Sequence, residues 1–175
     1  MNYRERSLNR LRDIKLKILL NEIHLPTINL NLIKKKNIFM NQPHWQYIEK
    51  YKHLGLLSGS MVLKAYGLIN RDAYDIDIIS DKNYLFEYLS DKKTSLQKHG
   101  MYSEEGLENS LGFIEDNKYV IDFFESNGKE IYEIHDGIKI HNPLEILELK
   151  IKLSDKRSKD HNDIDYMFSK LENSK

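Results

Sequence analysis

The chain contains no cysteine, which excludes disulfides, thiolate zinc centres and cysteine nucleophiles together. Any metal it holds must be met by oxygen or imidazole ligands. The seven histidines include no pair at helical zinc spacing with a third ligand in evidence, so surface or hydrogen-bonding roles are their default. Long apolar runs are also missing, and none approaches the roughly 20 residues a membrane-spanning helix needs. The first stretch alternates Arg, Asp and Lys with Leu and Ile instead of the uninterrupted apolar segment of a secretory signal. The expectation is a cytoplasmic protein without membrane contact. No internal repeat or low-complexity segment is visible.

Net charge is absent only as a total. Residues 1–52 carry 11 Lys+Arg against 4 Asp+Glu, and the remainder carries 16 against 23. A basic N-terminal third can steer phosphate-rich partners, and it can equally be a solvated helical face. Hydrophobic residues at 40% and charged residues at 31% of 175 positions are ordinary globular values, enough for one unit with a real core.

The spacing of Leu8, Leu11, Ile14 and Ile18 predicts an amphipathic helix over residues 5–23, a flank also suited to dimerisation. Thr27 to Gln42 carries conflicting signals and receives no assignment, while Pro43 to Lys52 suits a short helix with Trp45 and Ile48 on one side. A strand–turn–helix–strand unit follows: Leu54–Ser58, Gly59, Ser60–Tyr66 and Tyr74–Ile79. Helical cover is expected at Asn83–Leu89 and Ser95–His99, then strands at Gly112–Glu115, Tyr119–Phe124, Ile131–Ile134 and Ile138–Ile140. Asp116-Asn117 and Asn127-Gly128 supply turns. Asn142-Pro143 opens a helix with a capping residue followed by proline, and the chain reads as helical to about Leu171. The fold class is therefore α+β, a mixed sheet flanked by helices. It divides into a basic, mainly helical segment (1–53), a sheet-bearing core (54–142) and C-terminal helices (143–175).

Asp75 and Asp77 occupy alternate positions of the strand-like run and so share a face, opposite Ile76 and Ile78. Asp122 lies inside a second apolar strand, YVIDFF, where an unrelieved charge is costly. Asp116 and Asp136 compete for the place of third carboxylate, but both are flanked by the turn residues Asn117 and Gly137. Converging carboxylates repel one another, and a shared hard divalent cation relieves that repulsion.

Gly59-Ser60, Asp75-Ile76-Asp77 and Asp122 together resemble the signature of the polymerase-beta-like nucleotidyltransferase superfamily. The chain is similar in particular to small bacterial members related to abortive-infection toxins. These place an arginine four residues before the first aspartate, the position of Arg71. Their C-terminal helices often read Pro, Lys seven later, then Arg-x-Lys-Asp-x-x-Asp, a spacing matched by Pro143, Lys150, Arg157, Lys159, Asp160 and Asp163. Ala73 departs from the Ser or Thr common there. The likeness spans roughly residues 54–165.

The resemblance implies a nucleotidyltransferase fold and two magnesium ions held by Asp75, Asp77 and Asp122. It also implies transfer of a nucleoside monophosphate from a triphosphate such as ATP to a hydroxyl, with release of pyrophosphate. Gly59 and Ser60 would approach a phosphate, and Arg71, Lys150 and Lys159 would neutralise the triphosphate. The acceptor would be an RNA or tRNA end or a partner protein, as in toxin–antitoxin pairs. Alternatives within the same fold are a small-molecule acceptor of the aminoglycoside type and a non-catalytic nucleotide- or partner-binding module. Asp160 and Asp163 are expected to brace the last helix rather than bind metal.

Overall fold

The computed structural model describes residues 1–34, 44–73, 75–80, 96–99, 110–115 and 118–174. Helix α1 (Tyr3–Leu19) opens on a reciprocal cap: the Asn2 side chain accepts from the Glu5 amide at 2.8 Å, and the Asn2 amide donates to the Glu5 carboxylate at 3.1 Å. Its apolar stripe is turned inward, with Leu11 and Ile14 buried. A short α2 (Asn31–Lys34) and α3 (His44–Tyr51) follow, then a 3₁₀ turn at Lys52–Leu54. Trp45 is partly buried and Ile48 fully so, while the Lys34 ammonium lies 4.6 Å from the Trp45 ring centre.

Among the described residues the sheet has seven strands. They are β1 (Gly55–Ser58), β2 (Ile76–Ser80), β3 (Leu96–His99), β4 (Ser110–Glu115), β5 (Lys118–Glu125), β6 (Tyr132–His135) and β7 (Ile138–His141). Their order is β3-β4-β5-β2-β1-β7-β6. The sheet is mixed: β2 pairs parallel with β5 and β1 parallel with β7, and the other neighbours are antiparallel. Helix α4 (Gly59–Ala65) connects β1 to β2. A two-residue Asp136-Gly137 turn, with φ of 50° and 73°, joins β6 to β7 and matches the twist of a tight hairpin.

The C-terminal helices are α5 (Pro143–Leu153) and α6 (Asp160–Glu172). The Asn142 side chain caps α5 by accepting from the Leu144 amide at 2.9 Å, with Pro143 in the first turn. In α6, Ile164, Met167, Phe168 and Leu171 fall at helical spacing and are fully buried. Helix α1 is clamped to this pair at three points. Arg10 pairs with Glu172 at 2.5 Å above the Phe168 ring, and Lys15 meets Glu148 at 2.6 Å. The Tyr3 hydroxyl donates to Asp165 at 3.0 Å while its ring stacks on His161; burial and the adjacent carboxylate push its pKa up to about 12. One contiguous apolar cluster runs from Leu11 and Ile14 through Leu63, Ile76 and Phe123 to Leu147 and Phe168. The three segments distinguished in the sequence thus share one core.

Two expectations change. Leu96–His99 is a strand rather than helical cover, pairing antiparallel with β4 from Leu96↔Phe113 to His99↔Ser110. Four residues cannot show a helical period, and the ladder of a distant partner decides their state. Asp75 stands one residue before β2 begins, at its threshold instead of within it. The helix expected at Asn83–Leu89 and the Asp116-Asn117 turn lie outside the described residues.

Because Ile14 is 1% exposed and Leu19 is 78% exposed on the same helix, their truncations should separate cleanly. Ile14→Ala is expected to lower unfolding stability in urea by about 2–5 kcal/mol, the range for a buried large-to-small change. Leu19→Ala should stay within about 0.5 kcal/mol.

Candidate metal centre

Three strands set the site by register. Antiparallel pairing places Ser58 opposite Asp77, and parallel pairing places Asp77 beside Asp122. Alternation sends Ile76, Ile78, Ile121 and Phe123 to the other face, where each is at most 2% exposed. Asp75, two residues before Asp77, joins the polar side. Carboxylate oxygens of Asp75, Asp77 and Asp122 lie within 4.8 Å of one another, and all three residues are half-buried.

Gly59 follows Ser58 with φ of +67°, a left-handed conformation that favours glycine. A methyl carbon there would stand 1.7 Å from Asp77 Oδ2. The turn therefore needs glycine twice over, for its backbone angle and for the room Asp77 occupies.

Burial raises the Asp77 pKa well above the usual carboxylate range, and the charges of Asp75 and Asp122 push it further the same way. Lys150 and Arg157 pull in the opposite direction. An all-oxygen donor set under mutual repulsion fits a hard divalent cation, which would be held by Asp75, Asp77 and Asp122. Among the competitors, Asp136 is exposed in the β6–β7 turn, 3.5 Å from Lys34, and Asp116 lies outside the described residues.

Cations surround this centre but are themselves held. Arg71 donates to both oxygens of Asp163, at 2.7 and 2.9 Å on the closest contacts, and to Ser60 Oγ at 3.0 Å. The buried Lys150 ammonium reaches Asp160 at 2.9 Å and Asp163 at 3.2 Å. Arg157 also pairs with Asp160, at 3.2 Å. Burial alone would push the Asp163 pKa up, but the Arg71 hydrogen bond and the Lys150 charge outweigh it and hold the group below its ordinary value. Asp160 and Asp163 thus brace α6 against α5 and the Gly59-Ser60 turn. Lys159 is exposed at the residue before α6 and makes no ion pair with a described residue.

A polar chain absent from the sequence reading lies on the other side of β1. Ser58 Oγ meets His141 Nδ1 at 2.8 Å, and His141 Nε2 meets Glu145 Oε2 at 2.8 Å. Burial lowers the His141 pKa against the opposing pull of Glu145, which favours a neutral ring donating to Glu145 and accepting from Ser58. Both residues sit at the ends of parallel-paired strands, the position where α/β sheets expose chemistry, and that was the available signal. His141 and Glu145 border a cavity of about 220 Å³ that is also lined by Glu130, Glu148 and Lys152, and no member of the aspartate triad reaches it.

No protein-family model matches the chain, and no curated protein is significantly similar to it. The site is therefore read from its own chemistry. Of the residues singled out in the sequence, the structure gathers Gly59 with Asp75, Asp77 and Asp122, and ties Ser60, Arg71 and Lys150 into one network. Lys159 stands outside that network. Among the described residues no helix is long and apolar enough to cross a membrane.

Two outcomes test this electrostatic picture. Without divalent ions at pH 7, Asp77→Asn is expected to melt at or above the wild-type temperature, since it removes one repelling charge. Magnesium or manganese should raise the melting point of the wild type by a few degrees and leave the variant unmoved. Asp163 behaves oppositely, because its ionised form favours folding. That contribution is complete above the unfolded carboxylate value of about 4 and is lost as pH falls through the lower folded value. The stability gap between wild type and Asp163→Asn should narrow below about pH 4 in thermal melts, and a gap constant with pH contradicts the assignment.

Proposed function

We propose that the protein is a magnesium-dependent nucleotidyltransferase, moving a nucleoside monophosphate from a nucleoside triphosphate to the hydroxyl of an RNA end or a partner protein. The observation that carries this reading is the convergence of Asp75, Asp77 and Asp122 within 4.8 Å, against a turn whose glycine leaves room for Asp77. Magnesium bound there, two ions by the superfamily resemblance, supplies charge neutralisation of the triphosphate and activation of the acceptor oxygen.

The remaining work falls to the chain. Asp75 and Asp77 would hold the cation at the end of the strand pair, beside the Gly59 turn. Asp122 accepts the proton of the acceptor hydroxyl. That hydroxyl oxygen forms a bond to the α-phosphorus while the bond from the α-phosphorus to the bridging oxygen breaks, so pyrophosphate leaves with the bonding pair. Arg71 and Lys150 act through the field they create and through the turn they brace, because both are already paired with carboxylates of α6. Arg71 in particular fixes Ser60 beside Gly59.

The test uses the full chain, magnesium, each α-labelled nucleoside triphosphate in turn, and total RNA or lysate protein as acceptor. Wild type should label one of these fractions, and Asp75→Asn should cut labelling by at least about 100-fold, as expected on losing a metal ligand. Undiminished labelling by the variant, or no labelling of either fraction by wild type, overturns the reading.

A further inference from the structure

Among the described residues the sheet ends at β6, a four-residue edge strand whose only charged side chains are Glu133 and, when protonated, His135. Tyr132–His135 contains no Lys, Pro or bulge, and Ile131, Tyr132 and Ile134 are 59%, 43% and 64% exposed. The direction of its backbone groups follows from the hairpin. The two-residue turn makes His135↔Ile138 a hydrogen-bonded pair, so Glu133 and Ile131 also bond toward β7, and the residues between them bond outward. The Asn142 amide, donating to the Ile131 carbonyl at 2.8 Å, fits this alternation. Tyr132 and Ile134 consequently present their N–H and C=O groups at the free edge.

We propose that β6 is a self-association surface, pairing antiparallel with β6 of a second copy about a two-fold axis at Ile134. In that register Ile134 faces Ile134 of the second copy, and their outward backbone groups exchange two hydrogen bonds. Glu133 of each copy then faces His135 of the other, so the same complementary pair occurs twice. These two side chains already meet at 3.0 Å within one chain, which shows that they are matched and lie on one face. On the opposite face Ile134 of one copy packs on Ile134 of the other, while Tyr132 of each copy reaches the Asp136 turn of its partner. An axis at Tyr132 instead sets Ile134 against Glu130, and an axis at Glu133 or His135 brings inward-bonded backbone to the edge. The self-complementary pattern of Glu133, Ile134 and His135 is what selects a second copy as the occupant.

A ladder this short buries less than a standard interface of about 1,200–2,000 Å², so the dimer is weak and forms at high chain concentration. Sedimentation equilibrium up to about 1 mM chain should show the apparent mass climbing from 20.8 kDa toward twice that value. Glu133→Lys, which removes the carboxylate that meets His135, and His135→Glu, which sets two carboxylates opposite one another, should each weaken association about tenfold, and the double variant should restore it. Leu19→Asn, on the exposed end of α1, is expected to leave association unchanged. Thermal melts of each variant check that the fold is kept. A wild type that stays at single-chain mass throughout overturns the proposal. Association that ignores both single variants, or that depends on Leu19 instead, overturns it equally.

Discussion

Parallel pairing of β2 with β5 sets Asp77 directly beside Asp122, and much of the surrounding structure answers the repulsion this creates. Placing like charges side by side away from bulk water opposes folding, as the raised Asp77 pKa records. The opposite face of the same strands supplies the compensation. Ile76, Ile78, Ile121 and Phe123 are buried almost completely, and slipping the register by one residue would exchange them with the aspartates. The apolar packing that stabilises the sheet is thus also what forces the carboxylates together.

Lys150 and Arg157 supply a second answer through their field, but burying cations raises the same difficulty with the sign reversed. Asp160 and Asp163 resolve it by holding Lys150, Arg71 and Arg157 in place. Charge therefore alternates outward from the site: an acidic centre, a basic layer, then an acidic brace on α6. Each layer is tolerable only because the next one is present.

The parts of this arrangement that were legible in the sequence are those with local causes. Alternation placed Asp75 and Asp77 on one face, and a Gly before an apolar helical turn marked the bend at Gly59. Asn142-Pro143 announced α5 through cap chemistry confined to a few residues. What could not be read depends on partners far along the chain. Leu96–His99 is a strand because β4 pairs with it, and His141 meets Ser58 across 83 positions. The Lys150–Asp160 contact joins two helices through a turn whose geometry no periodicity reveals. Asp122 falls between these cases: its strand was legible, and its register against Asp77 was not.

The tie between Arg71 and Asp163 spans 92 positions, and α6 follows every other element described in the chain. At a synthesis rate of roughly 5–20 residues per second, Arg71 waits on the order of 5–20 s for its partner to be made. Lys150 lies closer to its carboxylates but likewise depends on α6. Until that helix docks, a nascent chain holds the aspartate centre beside cations that lack their carboxylate partners on α6. The order of translation therefore leaves the brace around this site incomplete until α6 has been made.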